Sequence, residues 1–313
     1  MSRMRTSVIF SSSVTGSDSR SLFETTRDGL AQLRDEGFRR VWMAQMPWDA
    51  DLTTLLAAAL RDVDTIEVAS GVIPIQVQHP TQLAQRALTL NAITGGRFIL
   101  GIGMNHRPLA GEMWGASWEK PVRQMREYLD GLQPLLAGER ADAVGEFWTT
   151  RAALALPGAP TPPVYLAALG PQMLRLAGRR SAGTLTWMTG PKTLANHIVP
   201  TLRAAAVDAG RAETAVQVAA ALPVSVTDDV EAARARAADE FAVYGTLPSY
   251  RAMLDREGYP RPEDAAIIGD EQTVSDRLDE LNAAGVDEFV AWILDDSPEV
   301  GARTRALLRS KDR

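Results

Sequence analysis

The chain has 313 residues, 45% of them apolar and 23% charged, which is enough to enclose one large core as a single domain over 1–313. A net charge of -6 leaves no broad basic field, so nucleic acid and anionic membranes are not expected partners, and an anionic ligand needs local cations. Cysteine is absent, which excludes disulfides, thiolate metal sites and a cysteine nucleophile; with no run near the roughly 18 apolar residues of a membrane span and no signal-peptide core, a cytoplasmic protein is expected.

Arg5 to Phe10 reads as a first strand, followed by a Ser/Thr/Gly-rich loop from Ser11 to Ser19 and a helix to Glu36 that Gly37 caps. Phe38 to Met43 is a short apolar run suited to a buried parallel strand. The alternation then repeats: helix Asp51 to Arg61, strand Thr65 to Ser70, helix Pro80 to Thr94, strand Arg97 to Ile102 and helix Trp118 to Leu136. Ala141 to Pro163 breaks the rhythm with Trp148 and a proline cluster, and is expected to form a small hairpin or loop.

Strand Val164 to Ala168, helix Pro171 to Arg180, strand Thr184 to Trp187, a helix over about Lys192 to Ala209 and strand Val216 to Val226 resume the pattern. Two helical stretches, Asp229 to Tyr244 and Pro248 to Glu257, exceed what one repeat needs and predict an insertion. Helix Glu271 to Ala284 with Gly285, strand Val286 to Leu294 and a helix from Pro298 complete the chain. The Leu30–Phe38 segment echoes Leu278–Val286, each leading into a strand with a tryptophan, Trp42 or Trp292. Similar units at both ends favour an α/β fold closed as a (β/α)8 TIM barrel, with insertions at the C-terminal mouth, over an open sheet.

In such barrels chemistry sits where the strands end, so the residues just after them are the candidates. Ser70-Gly71-Val72-Ile73-Pro74 follows strand 3, and Gly101-Ile102-Gly103-Met104-Asn105-His106 follows strand 4. Glycines there either let a flat ligand lie on backbone or make a tight turn in a buried strand. A dinucleotide fingerprint is excluded, because His106-Arg107-Pro108 stands where a third glycine and a helix are required. Ala168-Leu169-Gly170-Pro171 and Gly190-Pro191-Lys192 each open a helix and offer backbone N–H groups to an anion, with Lys192 either a phosphate partner or a plain surface lysine.

His79, His106 and His197 match no metal-ligand spacing, so no metal is expected; His106 is best placed for proton chemistry. No Gly-x-Ser-x-Gly elbow or Walker loop occurs, and a glycosidase reading rests on fold analogy alone.

The run Gly71-Val72-Ile73-Pro74, His79-Pro80, Leu83-Ala84, Thr94-Gly95-Gly96-Arg97-Phe98 and Leu100-Gly101-Ile102-Gly103 resembles the strand 3 to strand 4 signature of luciferase-like monooxygenases. Met125–Leu129, Ala167–Pro171 and Ala284–Glu288 extend the resemblance, which is strongest to the branch that uses the deazaflavin coenzyme F420. The resemblance implies a non-prolyl cis peptide at Ser70 and Gly71. It also implies a cofactor bounded by Ser70, Gly71, Val72, Gly103, Met104, Asn105 and His106, then by Ala168, Leu169 and Gly170, with Gly190 and Lys192 at its phosphate end, while Gln45 can hydrogen-bond a carbonyl or hydroxyl of its ring.

Sugar-phosphate-oxidising relatives carry an acidic residue and a histidine after strand 2, where this chain has Gln45 and Met46, so that activity is not expected. The resemblance implies hydride transfer from reduced F420 to an activated C=C or C=N bond of a small organic substrate, and His106 or a bound water is the expected proton donor. Trp48 and Trp114 either wall the substrate or merely pack the loops. An FMN-dependent monooxygenase and a non-enzymatic flavin- or deazaflavin-binding protein of the same fold stay open, as does the oligomeric state, a homodimer included.

Overall fold

A computed structural model describes residues 4–11, 19–295 and 297–312; most of the loop expected over 11–19 lies outside them. The strands are β1 (Arg5–Ile9), β2 (Arg40–Met43), β3 (Glu67–Ser70), β4 (Ile73–Pro74), β5 (Phe98–Gly103), β6 (Ala141–Val144), β7 (Thr149–Ala152), β8 (Val164–Ala167), β9 (Gly183–Trp187), β10 (Gln217–Val226), β11 (Ile267–Gly269) and β12 (Glu288–Ile293). The main sheet runs β10-β12-β1-β2-β3-β5-β8-β9, and β9 pairs with β10 to complete a ring of eight parallel strands. This is the (β/α)8 barrel that the alternation predicts. Two short strands were not predicted: β4 pairs with the far end of β5 and β11 with the far end of β10, each using the length by which a long strand outruns its neighbour.

The chain divides into two compact units, Phe10–Ala167 and Met1–Ile9 with Ala168–Arg313. In the first, α1 (Ser19–Asp35), α2 (Leu52–Ala59), α3 (Pro80–Ile93) and α4 (Pro121–Leu136) follow their strands. Helix α3 shows why the sequence starts and stops it there. His79 Nδ1 accepts from the Thr81 amide at 3.2 Å, proline occupies the first turn, and Gly95 and Gly96 end it at φ of 64° and 91°.

The excursion at Ala141 to Pro163 contains an antiparallel hairpin, β6 with β7, tied down by α4. Glu127 of that helix accepts from the Phe147 amide and from Arg123 Nε, both at 2.8 Å. Burial works against the Glu127 charge, yet these hydrogen bonds outweigh it and hold the carboxyl below its ordinary range.

The second unit carries α5 (Pro171–Arg180), a continuous helical stretch from α6 (Pro191–Thr193) to α7 (Val199–Asp208), and α10 (Glu271–Ala283) and α11 (Val300–Lys311). Between β10 and β11 lies the predicted insertion, α8 (Val230–Phe241), a tight turn over Ala242–Gly245 and α9 (Pro248–Glu257). The echo between chain ends is structural: Gly37 and Gly285 both follow a helix in the left-handed region, at φ of 95° and 89°, and turn the chain into β2 and β12. No helix among the described residues is long and apolar enough to cross a membrane.

Candidate functional site

Register settles which strand residues face inward in each unit. In the first, Trp42 pairs with Ala69, Ala69 with Ile99, and Gly101 with Tyr165. The Trp42 and Tyr165 rings meet edge to face at 5.5 Å although their strands are not neighbours, so this face is the concave one. Gly101, and two residues further on Gly103, therefore look inward near the C-terminal end of β5.

Both glycines are required by the protein itself. A Cβ on Gly101 would collide with the carbonyl oxygen of Ser70, and one on Gly103 would lie 2.8 Å from Cγ2 of Val72 and 3.0 Å from Cβ of Ala167. Ser70 is fully buried, and its hydroxyl accepts from the Gly101 amide at 2.8 Å and donates to the Gly101 carbonyl at 2.9 Å. Val72 is thus laid over Gly103 as a half-buried floor on the inward face.

The cis peptide bond lies between Gly71 and Val72, one residue beyond the expected Ser70–Gly71 bond. Ser70 is clamped to Gly101, and the Gly71 amide still donates to the Met43 carbonyl at 2.8 Å, so the regular ladder persists through Gly71 and the bulge begins only after it.

The segment after β5 is held against the one after β4. The Asn105 amide donates to Oε1 of Gln76 at 3.2 Å, the Ile75 amide donates to the Gly103 carbonyl at 3.1 Å, and the indole of Trp118 donates to the Asn105 carbonyl. Met104, Asn105 and His106 are half-buried, and burial lowers the His106 pKa below its ordinary 6.5. The imidazole is therefore neutral at pH 7. Gln76 carries a signal that sequence reasoning missed: its Nε2 is buried and has no hydrogen-bond partner in the structure. Such a donor is costly to leave unmet. A polar residue directly after the apolar Ile73–Ile75 run was the only hint in the sequence.

Gln45 is spent on its own loop. Its Nε2 donates to the carbonyls of Met46 (3.0 Å) and Ala50 (3.3 Å), and its Oε1 accepts from the Leu52 amide (2.7 Å). Trp48 is 64% exposed, whereas Trp114 is half-buried after a helical turn that spans Leu109–Met113. A surface groove on that loop is lined by Arg107, Pro108, Glu112 and Trp118 among others, without Trp114.

In the second unit, Ala168 is buried, and Leu169 and Gly170 lead into α5, whose N-terminus has no side-chain cap. His197 Nε2 lies 2.8 Å from the Leu169 carbonyl and fixes that turn. The turn at Gly190 is different. Glu257, at the end of α9, places its carboxylate on the helix N-terminus and accepts from the amides of Lys192 (3.0 Å) and Thr193 (2.7 Å). Gly190 is buried against that carboxyl group, while the Lys192 side chain is exposed. The backbone donors expected to meet a phosphate are already engaged by an internal anion.

The inward face of this unit follows from Ser7 paired with Val290, Val290 with Ala221, Ala221 with Trp187, and Trp292 with Pro223. Thr6, on the opposite face, donates to the Leu308 carbonyl of the outer helix α11. Trp187 and Trp292 therefore face inward at the ends of β9 and β12, 5.9 Å apart. The insertion brings Phe241 and Tyr244 to Trp187, at 5.6 and 5.8 Å. Among the described residues no group of three or more His, Asp or Glu side chains comes together as a metal site.

Comparison with known proteins places the chain. The family model described as luciferase-like monooxygenase matches residues 4–288. Among curated relatives, the 5,10-methylenetetrahydromethanopterin reductase of Methanolobus tindarius is 31% identical over 235 residues, covering 75% of this chain and 71% of that protein. The F420-dependent glucose-6-phosphate dehydrogenase of Nakamurella multipartita is 28% identical, covering 85% and 77%. Among solved structures, the coenzyme F420 dependent tetrahydromethanopterin reductase of Methanopyrus kandleri superposes with a TM-score of 0.81 at 21% identity, over 99% of this chain and 98% of that one. The oxygenating constituent of 3,6-diketocamphane monooxygenase from Pseudomonas putida, in complex with FMN, shares the fold at 0.76 and 20% identity, over 99% and 97%.

Proposed function

We propose that this chain, which belongs to the luciferase-like monooxygenase family, is an oxidoreductase that uses coenzyme F420 to reduce an activated C=C or C=N bond of a small organic substrate. The observation that carries the reading is the pairing of a close-packed inward floor, Gly71–Val72 over Gly103, with the orphaned amide of Gln76 beside Asn105. A flat ring bearing carbonyl acceptors fits that combination: it takes the apolar floor by stacking and satisfies a buried donor.

When bound, the reduced deazaflavin supplies a hydride to the substrate. Gly71, Val72, Met104 and Asn105 would form the seat of its ring, with the buried Ser70 and Gly103 supporting that floor from behind. Ala168, Leu169 and Gly170 would follow its side chain, where the uncapped α5 N-terminus leaves backbone donors available to an anion. Gly190 and Lys192 would serve the phosphate end only if Glu257 gave up its two amides, while the exposed Lys192 ammonium can approach an anion without that change. Gln45 shapes the loop after β2, and we assign it to holding that wall of the site.

His106, neutral at pH 7 because it is half-buried, can orient a substrate by donating one N–H and can pass a proton from solvent, but it is no reservoir of imidazolium. Trp48 and Trp114 belong to loops that would exclude water.

The test is cofactor titration of the purified protein. F420 should bind at least tenfold more tightly than FMN, and Gln76→Ala should weaken F420 binding by roughly five- to tenfold, the worth of about one buried hydrogen bond. Preferential FMN binding would transfer the assignment to an FMN-dependent monooxygenase, a reading favoured by the FMN complex that shares this fold. Binding of F420 without turnover of any enone or imine would leave a cofactor-binding protein.

A further inference from the structure

Side-chain caps in this chain are usually local. Asp51 accepts from the Thr54 amide at 2.8 Å, Asp229 from Ala232 at 3.0 Å and Asp270 from Thr273 at 2.9 Å, each reaching three residues into the helix it begins. At the helical stretch that starts after Gly190 the cap is imported from the insertion. Glu257, 65 residues from Lys192, divides its carboxylate between two amides: Oε1 accepts from Lys192 at 3.0 Å and Oε2 from Thr193 at 2.7 Å. The Thr193 hydroxyl donates to the Met253 carbonyl at 3.5 Å, so the last turns of α9 are fastened to this helix end at a second point. Gly190 is what permits the approach, because a Cβ there would lie 2.5 Å from Cδ of Glu257.

The carboxylate stands where its own helix opposes it. Glu257 is the last residue of α9, at the end of the helix dipole that disfavours an anion. Ending α9 does not require that charge, since Gly258 already turns the chain at φ of 88°. The neighbouring N-terminus, with its two amide donors, is what holds the carboxylate in place.

The consequence for a ligand is electrostatic. A phosphate monoester carries about two negative charges at pH 7.5 and seeks several donors at once. At Gly190 it meets amides already engaged and a like charge beside them. A phosphodiester carries a single charge on two free oxygens, which the exposed Lys192 ammonium can offset as a point charge.

We infer that Glu257 is a specificity-determining residue for the cofactor: it withholds the Lys192 and Thr193 amides from a terminal phosphate monoester, as in FMN, and tolerates the phosphodiester of F420. The inference rests on the reading above only for where the phosphate end comes, at Gly190 and Lys192. Selection against FMN then lies at the phosphate end, apart from whatever the ring seat selects.

Riboflavin and FMN differ only in the monoester phosphate, so quenching of their fluorescence at pH 7.5 isolates its contribution. The intact protein, Glu257→Ala and Glu257→Gln are each titrated with both flavins, and with F420 in parallel. The unaltered protein should bind FMN no more than about threefold more tightly than riboflavin. Glu257→Ala, which frees both amides, should raise the FMN-to-riboflavin affinity ratio about tenfold, and Glu257→Gln, which removes the charge and keeps one acceptor, about threefold, with riboflavin affinity itself changed less than about twofold. FMN bound more than threefold more tightly than riboflavin by the unaltered protein, an unchanged ratio in the folded variants, or no FMN binding by either variant would overturn the role of Glu257. Failure of F420 to bind while the flavin ratio shifts as stated would instead strike the proposed function and leave that role standing.

Discussion

The two units end their inward strands in opposite ways. In the first, the residues at the end of β5 are Gly101 and Gly103, and backbone and a single valine supply the floor. In the second, β9 and β12 end in Trp187 and near Trp292, and an insertion adds further rings. Small residues admit a neighbour to van der Waals contact with backbone, whereas large half-buried rings pack on one another and present a surface of their own. The lesson is that the same strand-end position can serve either shape, and that each must be judged by what touches it. The first-unit glycines are filled by Ser70 and Val72 of the protein, not left open for a ligand.

The comparison can be broken most decisively at Gly101. Gly101→Ala should destabilise the protein by about 3 kcal/mol or more, because the methyl collides with a main-chain carbonyl that cannot rotate away. Gly170→Ala in the second unit, where an added Cβ meets nothing within 4 Å, should cost less than about 1 kcal/mol. Denaturant unfolding of the pair measures the contrast, and equal losses would show that the β5 glycines are not special.

Glu257 offers a smaller and two-sided effect. Removing its carboxylate by Glu257→Ala takes away a helix cap and should lower stability by about 1 kcal/mol. If Gly190 and Lys192 receive the cofactor phosphate, the same change should tighten F420 binding, since the amides no longer have to be vacated. Unchanged affinity would assign the phosphate to the α5 N-terminus.

The smallest effect is electrostatic. His106 has its pKa lowered by burial from 6.5, so the unfolded chain binds the proton more readily. The stability that neutral His106 contributes is complete above about pH 6.5 and is lost as pH falls from there through the lower folded value. Unfolding measured between pH 7.5 and 5 should show that decline, and His106→Gln should flatten it. A decline that persisted in the variant would place its source elsewhere.

Glycines carry the same one-letter signal whether they cradle a ligand or yield to a neighbouring carbonyl, which is why Gly101 and Gly103 could be located but not interpreted from sequence. Glu257 lies 65 residues from Lys192 and reads as an ordinary end to a surface helix. Trp187 and Trp292 were placed on strands, but their common face emerged only when the register with β10 was known. The cis bond moved by one residue because hydrogen bonds to Gly101 and Met43 keep Ser70 and Gly71 in the ladder, a constraint no local propensity encodes.

What the sequence by itself determined is the order of elements and the closed parallel barrel, because the alternation of buried strands and capped helices is written in local periodicity, in Pro80 and in Gly37 and Gly285. It also determined family membership, since the run from Gly71 to Gly103 joins short elements at set spacing. Tertiary structure alone decided which polar groups are already satisfied: Gln45 spent on its loop, the Gly190 amides taken by Glu257, and Gln76 left with a donor to give. The physical reason is that hydrogen-bond satisfaction and the sign of local charge are sums over neighbours distant in sequence, whereas caps, turns and amphipathic periods are settled within a few residues.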